Sequence, residues 1–480
     1  MKKIRIHLGC FLAMLFSTVR LSAQNRTEKP NILFILTDDV GWGSVGAYGA
    51  DPALVRTPNI DRLAEQGKLF TDAYAPSSVC SPTRYGVLTG RYCWRTSLRA
   101  GVLGHRSPLH IETDRMTVAS MLREQGYATV RVQTTLRNDG ATPRDFTLIT
   151  RIQSGGEHIS HTKGSHRLAP GESLELKHEL HLPSPRRWSP DSPHLYSVIS
   201  EVAEDGHTVD HLSTTFGVRT IAFNSEKGFL LNGESVNMKG VNLHMDGGAV
   251  GTAVPTGVWE RRLRVLKEMG CNAIRIGHHP PAPEFLKLCD RIGFLVINEA
   301  FDKWDAARYW RHVNRHFADN WEADLVAMLR RDRNHPSIVL WSVGNENGLV
   351  WTQEFFDRYQ SLADVVRRED PTRPVTAALR PIYPPRDNRT VEGMVEALAP
   401  MIEVLDVAML NYQEHLYEAI RKRLPEVVII GGESYGYFRG RGMNHKSDDE
   451  YNPWFKVEKH GWVAGQFLWP GIDYLGESTG

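Results

Sequence analysis

The chain has 480 residues, with 57 Lys+Arg against 56 Asp+Glu and a formal charge of +1 at pH 7. That balance carries no basic stripe, which argues against a nucleic-acid binder. With 41% hydrophobic and 24% charged residues, a mainly disordered chain is also excluded. The length suggests roughly three domains, each able to bury a core without staples. Cysteines 10, 80, 93, 271 and 289 are too few for a disulfide framework.

In chain order, Lys2, Lys3 and Arg5 precede an apolar run from Leu8 to Val19 and the small residues Ser22 and Ala23. This predicts a secretory signal over residues 1–23 and a periplasmic or secreted location. No later stretch is long and apolar enough to span a bilayer. Residues 29–128 predict an α/β segment. In it Asn31 to Thr37 reads as a strand buried on both faces, and Thr57 to Gly67 and Met116 to Gly126 as helices with glycine stops.

From 129 to 221 the texture changes. Short runs at Gln133–Leu136, Phe146–Ile152, Ser173–Leu180, Tyr196–Val202 and Thr214–Val218, separated by turn clusters, predict an immunoglobulin-like β-sandwich. From 222 to 480 strand and helix signals alternate. The candidate strands are Val236–Val241, Ala273–Gly277, Phe294–Asn298, Ile338–Val343, Val375–Ala378, Val407–Leu410, Val427–Gly431 and Gly465–Trp469. Their cadence is that of a (β/α)8 TIM barrel. The sequence stops soon after the last of them, so a barrel lacking its last helix, with a weakened closure, is expected. Cys271 and Cys289 read as small buried apolar residues.

Asp38-Asp39 closes the first predicted strand, where ligands gather in open α/β sheets. Two adjacent carboxylates suit a hard cation such as Ca²⁺, and a turn or cap is the plain alternative. Ser78-Val79-Cys80-Ser81-Pro82-Thr83-Arg84, followed by Leu88-Thr89-Gly90-Arg91, resembles the sulfatase family signature. The resemblance implies that Cys80 becomes formylglycine, the nucleophile at the metal, with Arg84 as its electrostatic support and Asp38 and Asp39 as Ca²⁺ ligands. After Gly126-Tyr127 the family pattern stops. This segment therefore reads as an incomplete sulfatase domain, of the alkaline-phosphatase-like α/β kind.

A second pattern lies in the barrel segment. Asn334-His335-Pro336-Ser337-Ile338 leads to Trp341-Ser342-Val343-Gly344-Asn345-Glu346-Asn347, and further on stand Gly432-Glu433-Ser434-Tyr435 and Gln466-Phe467-Leu468-Trp469. Glu346 and Glu433 each end a predicted strand, which places both on the catalytic face of a barrel. Two carboxyls about 5–5.5 Å apart are what retaining glycoside hydrolysis requires. The negative charge of Glu433 would favour the protonated Glu346 that acid catalysis needs.

From about residue 130 onward the chain resembles glycoside hydrolase family two, the β-galactosidase and β-glucuronidase family. The resemblance implies Glu346 as acid/base, Glu433 as nucleophile and Asn345 as the partner of the sugar 2-hydroxyl. It also implies Tyr412 as orienter of the nucleophile, Arg275 as its neutralising charge, His244 and His278 as sugar contacts and Trp469 as an aromatic platform. Glu299, a third strand-end carboxylate, is expected to hold Arg275 rather than react.

The leading expectation is a retaining exo-β-glycosidase, β-galactosidase-like, acting without a cofactor on terminal β-linked sugars of extracellular glycans. The juxtaposition of the two segments suggests a sulfated polysaccharide. The alternatives are a sulfatase using Ca²⁺ and formylglycine at Cys80, or an inactive fusion remnant. Oligomeric state is not legible.

Overall fold

A computed structural model describes residues 34–37, 40–103, 110–112, 115–124, 129–304, 316–347, 352–380, 390–435 and 453–472. The expected signal segment, the start of the first expected strand, Asp38-Asp39 and the Gly126-Tyr127 junction lie outside the described residues. The chain forms two compact units, residues 1–104 and 105–480.

The first unit contains helices α1 (Pro58–Gln66) and α2 (Cys80–Thr89) and three short 3-10 turns. Pro58 starts α1 where its missing N–H costs nothing. Asp61 in its first turn accepts from the Ala47 N–H at 2.7 Å and the Thr57 hydroxyl at 2.9 Å. The expected buried strand is not found: residues 34–37 have no regular structure, and Phe34 and Ile35 are 66% and 69% exposed. A strand buried on both faces needs paired neighbours and covering helices. Among the described residues of this unit no strand is present to pair with it.

In the second unit, helix α3 (Val118–Glu124) precedes a sandwich. Its strands are β1 (Thr129–Arg137), β2 (Arg144–Ser154), β3 (Glu157–Leu168), β4 (Ser173–His181), β5 (Tyr196–Glu204) and β6 (His207–Phe216). One sheet has the antiparallel order β3-β2-β5-β6 and the other pairs β1 with β4. Alternation puts Phe146, Leu148, Ile152, Leu180, Tyr196 and Val198 inside. Strand β3 is absent from the sequence reading. It is an edge strand carrying His158, His161, Lys163 and Arg167, polar enough to pass for a loop and suited to discourage edge pairing.

A small sheet of β7 (Ile221–Asn224), β8 (Gly228–Leu231) and β9 (Glu234–Ser235) follows. Phe229 and Leu231 from it, with Trp188, join the cluster that fills the barrel interior, alongside Met238, Leu295, Leu340, Met409, Ile430 and Phe467. The Trp188 indole N–H donates to the Asp290 carbonyl at 2.9 Å, tying the segment between β4 and β5 to the barrel.

The barrel strands are β10 (Met238–Leu243), β11 (Ala273–Ile276), β12 (Leu295–Glu299), β13 (Ile338–Asn345), β14 (Val375–Leu379), β15 (Ala408–Asn411), β16 (Ile429–Tyr435) and β17 (Val463–Trp469). They form one closed ring, all parallel. Closure between first and last runs through four residue pairs, Met238↔Gly465 to Val241↔Leu468. Helices α4 (Thr256–Glu268), α5 (Pro283–Ile292), α6 (Phe317–Asp332), α7 (Gln353–Glu369), α8 (Val391–Val404), α9 (Tyr417–Arg423) and α10 (Pro453–Lys459) alternate with the strands. Their starts follow local chemistry. The Thr390 hydroxyl accepts from the Gly393 N–H at 3.0 Å as an N-cap, and Gly293 ends α5 at φ 88°. Cys271 and Cys289 are free thiols, pushed up by burial.

Candidate active site

The polar side chains that make up the site lie on the barrel strands or just past them, toward the end where catalytic groups gather in such barrels. Arg275 on β11 is the hub and is fully buried. Its Nη1 donates to Glu433 Oε1 at 2.8 Å and to Asn242 Oδ1 at 3.1 Å. Its Nη2 donates to Glu299 Oε2 at 2.7 Å, and its Nε reaches the same oxygen at 3.1 Å. Burial alone would push the guanidinium down, but Glu299 and Glu433 outweigh it and hold Arg275 above the usual arginine range. Burial likewise works against the Glu299 carboxylate. Arg275, His278 and the Ser342 hydroxyl, donating at 2.7 Å, overcome it and hold the group below its ordinary value. Glu299 therefore holds Arg275, as its strand-end position suggests, and Arg275 holds Glu433.

Glu346 follows β13 directly, its N–H donating to the Ala378 carbonyl at 2.9 Å. Its φ of 48° is left-handed, a conformation a non-glycine residue adopts at a cost of about 1–3 kcal/mol. From that turn the carboxylate meets Arg380, just past β14, and Asn411 on β15. Asn411 Nδ2 donates to Glu346 Oε1 at 3.1 Å and to Asn345 Oδ1 at 3.0 Å. Asn345 Oδ1 also accepts from Arg275 Nη2 at 2.9 Å. Four hydrogen bonds thus link the two carboxylates, running Glu433, Arg275, Asn345, Asn411, Glu346. Gly432 leaves room for this linkage, since a Cβ there would meet Asn411 Oδ1 at 2.5 Å.

One contact runs against expectation. The neighbour in contact with Glu346 is a cation, with Arg380 Nη1 lying 3.2 Å from both carboxylate oxygens.

The remaining expected residues gather around this core. The Asn345 amide donates to Asp302 Oδ1 at 2.9 Å, and its second N–H has no acceptor among the described residues. Burial would raise Asp302, but His278, Asn345 and Lys303 hold it below its ordinary value. His278 Nδ1 meets Glu299 Oε1 at 2.7 Å, and its other nitrogen lies 3.8 Å from Glu433. The His278 ring stacks on Trp469 at 5.3 Å, and His244 meets Trp469 edge-on at 5.0 Å. Burial, then His278 and His279, push His244 down, favouring the neutral imidazole. The Tyr412 N–H donates to the Glu433 carbonyl at 2.8 Å, and its ring lies 4.8 Å below the Arg380 guanidinium.

Arg380, Asp302, Asn411, Asn242 and Ser342 have no role in the sequence reading. Their common signal is position: each lies within or up to three residues past a barrel strand.

The sulfatase-type residues have no comparable surroundings. Cys80, in the first turn of α2, is exposed with Ser81 Oγ at 4.0 Å, and Arg84 one turn on is exposed too. Asp38 and Asp39 lie outside the described residues. Among the described residues no three His, Cys, Asp or Glu side chains converge as a metal site. The described donors do not fit a Ca²⁺ centre, and no sulfate-ester step follows from them.

Residues 223–423 match the model of the glycosyl hydrolases family 2 TIM barrel domain, and residues 109–219 match the glycosyl hydrolases family 2 model. Residues 30–163 match the sulfatase model, overlapping the first strands of the sandwich. A β-galactosidase of Bacteroides ovatus is 30% identical over 442 residues, covering 78% of this chain and 51% of that protein. A β-glucuronidase of Paenibacillus borealis is 32% identical over 211 residues, covering 42% of this chain and 35% of its own length. The crystal structure of a glycosyl hydrolase family 2 member from Bacteroides cellulosilyticus superposes with a TM-score of 0.64 at 35% identity, covering 74% of this chain and 45% of that one. The chain thus spans about half the length of the first of these relatives.

Proposed function

We propose that the barrel, in a chain whose residues 109–219 and 223–423 match the glycosyl hydrolases family 2 models, is a retaining exo-β-glycosidase acting on terminal β-galactosides or β-glucuronides. The observation that carries the reading is the Arg275 hub. One buried guanidinium is pinned by Glu299 and donates to Glu433 at 2.8 Å. This charge-assisted bond keeps one oxygen of Glu433 fixed in position.

In the first step a Glu433 oxygen forms a bond to the anomeric carbon while the bond to the leaving oxygen breaks. That oxygen takes the proton of Glu346. In the second step Glu346 takes a proton from water, the water oxygen bonds to the anomeric carbon, and Glu433 departs as carboxylate. The free amide N–H of Asn345 is the group placed to donate to the sugar 2-hydroxyl, and the Trp469–His278 stack offers an apolar wall for the ring. Export, and an origin of the substrate in sulfated polysaccharide, belong to the same proposal.

The test uses nitrophenyl β-galactoside and β-glucuronide with the full chain and its Glu433→Gln variant, following the anomer released by NMR. Release of the β-anomer first, abolished in the variant, is expected. Release of the α-anomer, or activity surviving Glu433→Gln, would overturn the reading.

A further inference from the structure

The mechanism leaves Arg380 unexplained. It directly follows β14 at the catalytic end of the barrel, and its side chain is 34% exposed, whereas that of Arg275 is 0% exposed. Only Nη1 of its nitrogens donates to Glu346, and its face rests on the Tyr412 ring. A guanidinium has five N–H donors in a planar fork, so among the described residues this arrangement leaves donors for a second anion beside the Tyr412 ring.

Two physical points follow. A carboxyl carrying the proton for the leaving oxygen has no negative charge with which to hold a guanidinium. Productive binding therefore leaves Glu346 as only a weak, neutral acceptor for Arg380. Moreover, the residue that protonates the leaving oxygen lies on the leaving-group side of the scissile bond, opposite the glycon held toward Glu433. A cation touching both Glu346 oxygens lies on that side as well. An anion carried by the leaving sugar is the group best able to take Arg380 over, because charge-assisted, bidentate bonds to carboxylate or sulfate-type oxygens are the strong ones for this side chain.

We propose that Arg380 is a specificity-determining residue that reads an anionic substituent, sulfate ester or carboxylate, on the leaving sugar. By pairing with that substituent it leaves Glu346 free to carry the proton. Neutral leaving sugars bind against the Arg380–Glu346 pair and turn over slowly. The proposal rests on the glycosidase reading above, with Glu346 as the acid.

The test measures kcat/KM of the full chain, Arg380→Met and Arg380→Lys on disaccharides of one glycon, galactose or glucuronate, whichever dinitrophenyl β-glycoside the chain hydrolyses. The leaving sugar is glucose, glucose 6-sulfate or glucuronate. The native chain is expected to prefer an anionic leaving sugar by about 10- to 100-fold, the worth of one charge-assisted pair. Arg380→Met should bring that ratio to about threefold or less, and Arg380→Lys should retain part of it. The ratio is the readout, so a variant slower on every substrate still answers the question. Preference for only one of the two anionic sugars identifies the source of the anion. A native chain indifferent to leaving-sugar charge, or a preference that survives Arg380→Met, overturns the proposal while leaving the glycosidase reading intact. Failure to hydrolyse either dinitrophenyl glycoside overturns both.

Discussion

The barrel and the first unit treat their reactive side chains in opposite ways. In the barrel, Glu433 and Glu346 are buried, and each is held by partners from other strands. In the first unit, Cys80 and Arg84 are exposed on one helix, and Leu63, Phe70 and Trp42 are exposed as well. A motif in sequence marks ancestry. Chemistry needs the surrounding shell, because desolvation and converging donors are what give a carboxylate or thiol its role.

The contrast breaks most sharply by exchanging which residue is removed. Glu433→Gln should lower kcat on a nitrophenyl β-glycoside on the order of 10⁴-fold or more. Cys80→Ala should leave the same reaction unchanged. A fall with Cys80→Ala would bring the two units into one site. Glu346→Gln should cost about 10²–10⁴-fold on disaccharides. The loss should shrink on a dinitrophenyl glycoside, whose leaving oxygen needs little help from a proton.

Stability sharpens the same comparison. Glu299→Gln leaves the buried Arg275 charge short of its main partner and should cost about 3–5 kcal/mol in urea unfolding. Leu340→Ala in the barrel interior should cost about 2–5 kcal/mol. Leu63→Ala, 64% exposed in the first unit, should stay within about 0.5 kcal/mol. A large effect there would reveal packing that this unit does not display among its described residues.

The smallest effect is in pH. Glu299 and Asp302 are held below their ordinary values of 4.5 and 3.8. A depressed folded-state value contributes stability above the unfolded value, lost as pH falls through the lower folded one. Thermal stability should therefore drop as the pH is taken below about 4, and less steeply in Glu299→Gln. An equally steep drop in that variant would place the acid sensitivity elsewhere.

Much of the barrel was legible because its strands are short apolar runs bounded by helices, a local pattern. Ala273 to Gly277 in sequence became Ala273–Ile276 in the fold, and Glu346 directly follows β13, whereas Glu433 lies within β16, which runs on to Tyr435. What escaped depends on partners far along the chain. Strand β3 takes its identity from pairing with β2, since its own residues are polar. Arg380 gains meaning only from Glu346, 34 positions away, and Asp302 from Asn345, 43 away. The expected strand at Asn31 to Thr37 errs the other way: its apolar run satisfies the pattern, but among the described residues of the first unit no strand is present to pair with residues 34–37.

The decisive measurement is mass spectrometry of the chain after reaction with a 2-deoxy-2-fluoro β-glycosyl dinitrophenolate, which forms the glycosyl-enzyme quickly and releases it slowly. One added sugar, located on the peptide that contains Glu433, is the predicted result. A label on Glu346 or Glu299, or turnover with no adduct, would contradict the assignment of Glu433 as the group that Arg275 holds ready to attack.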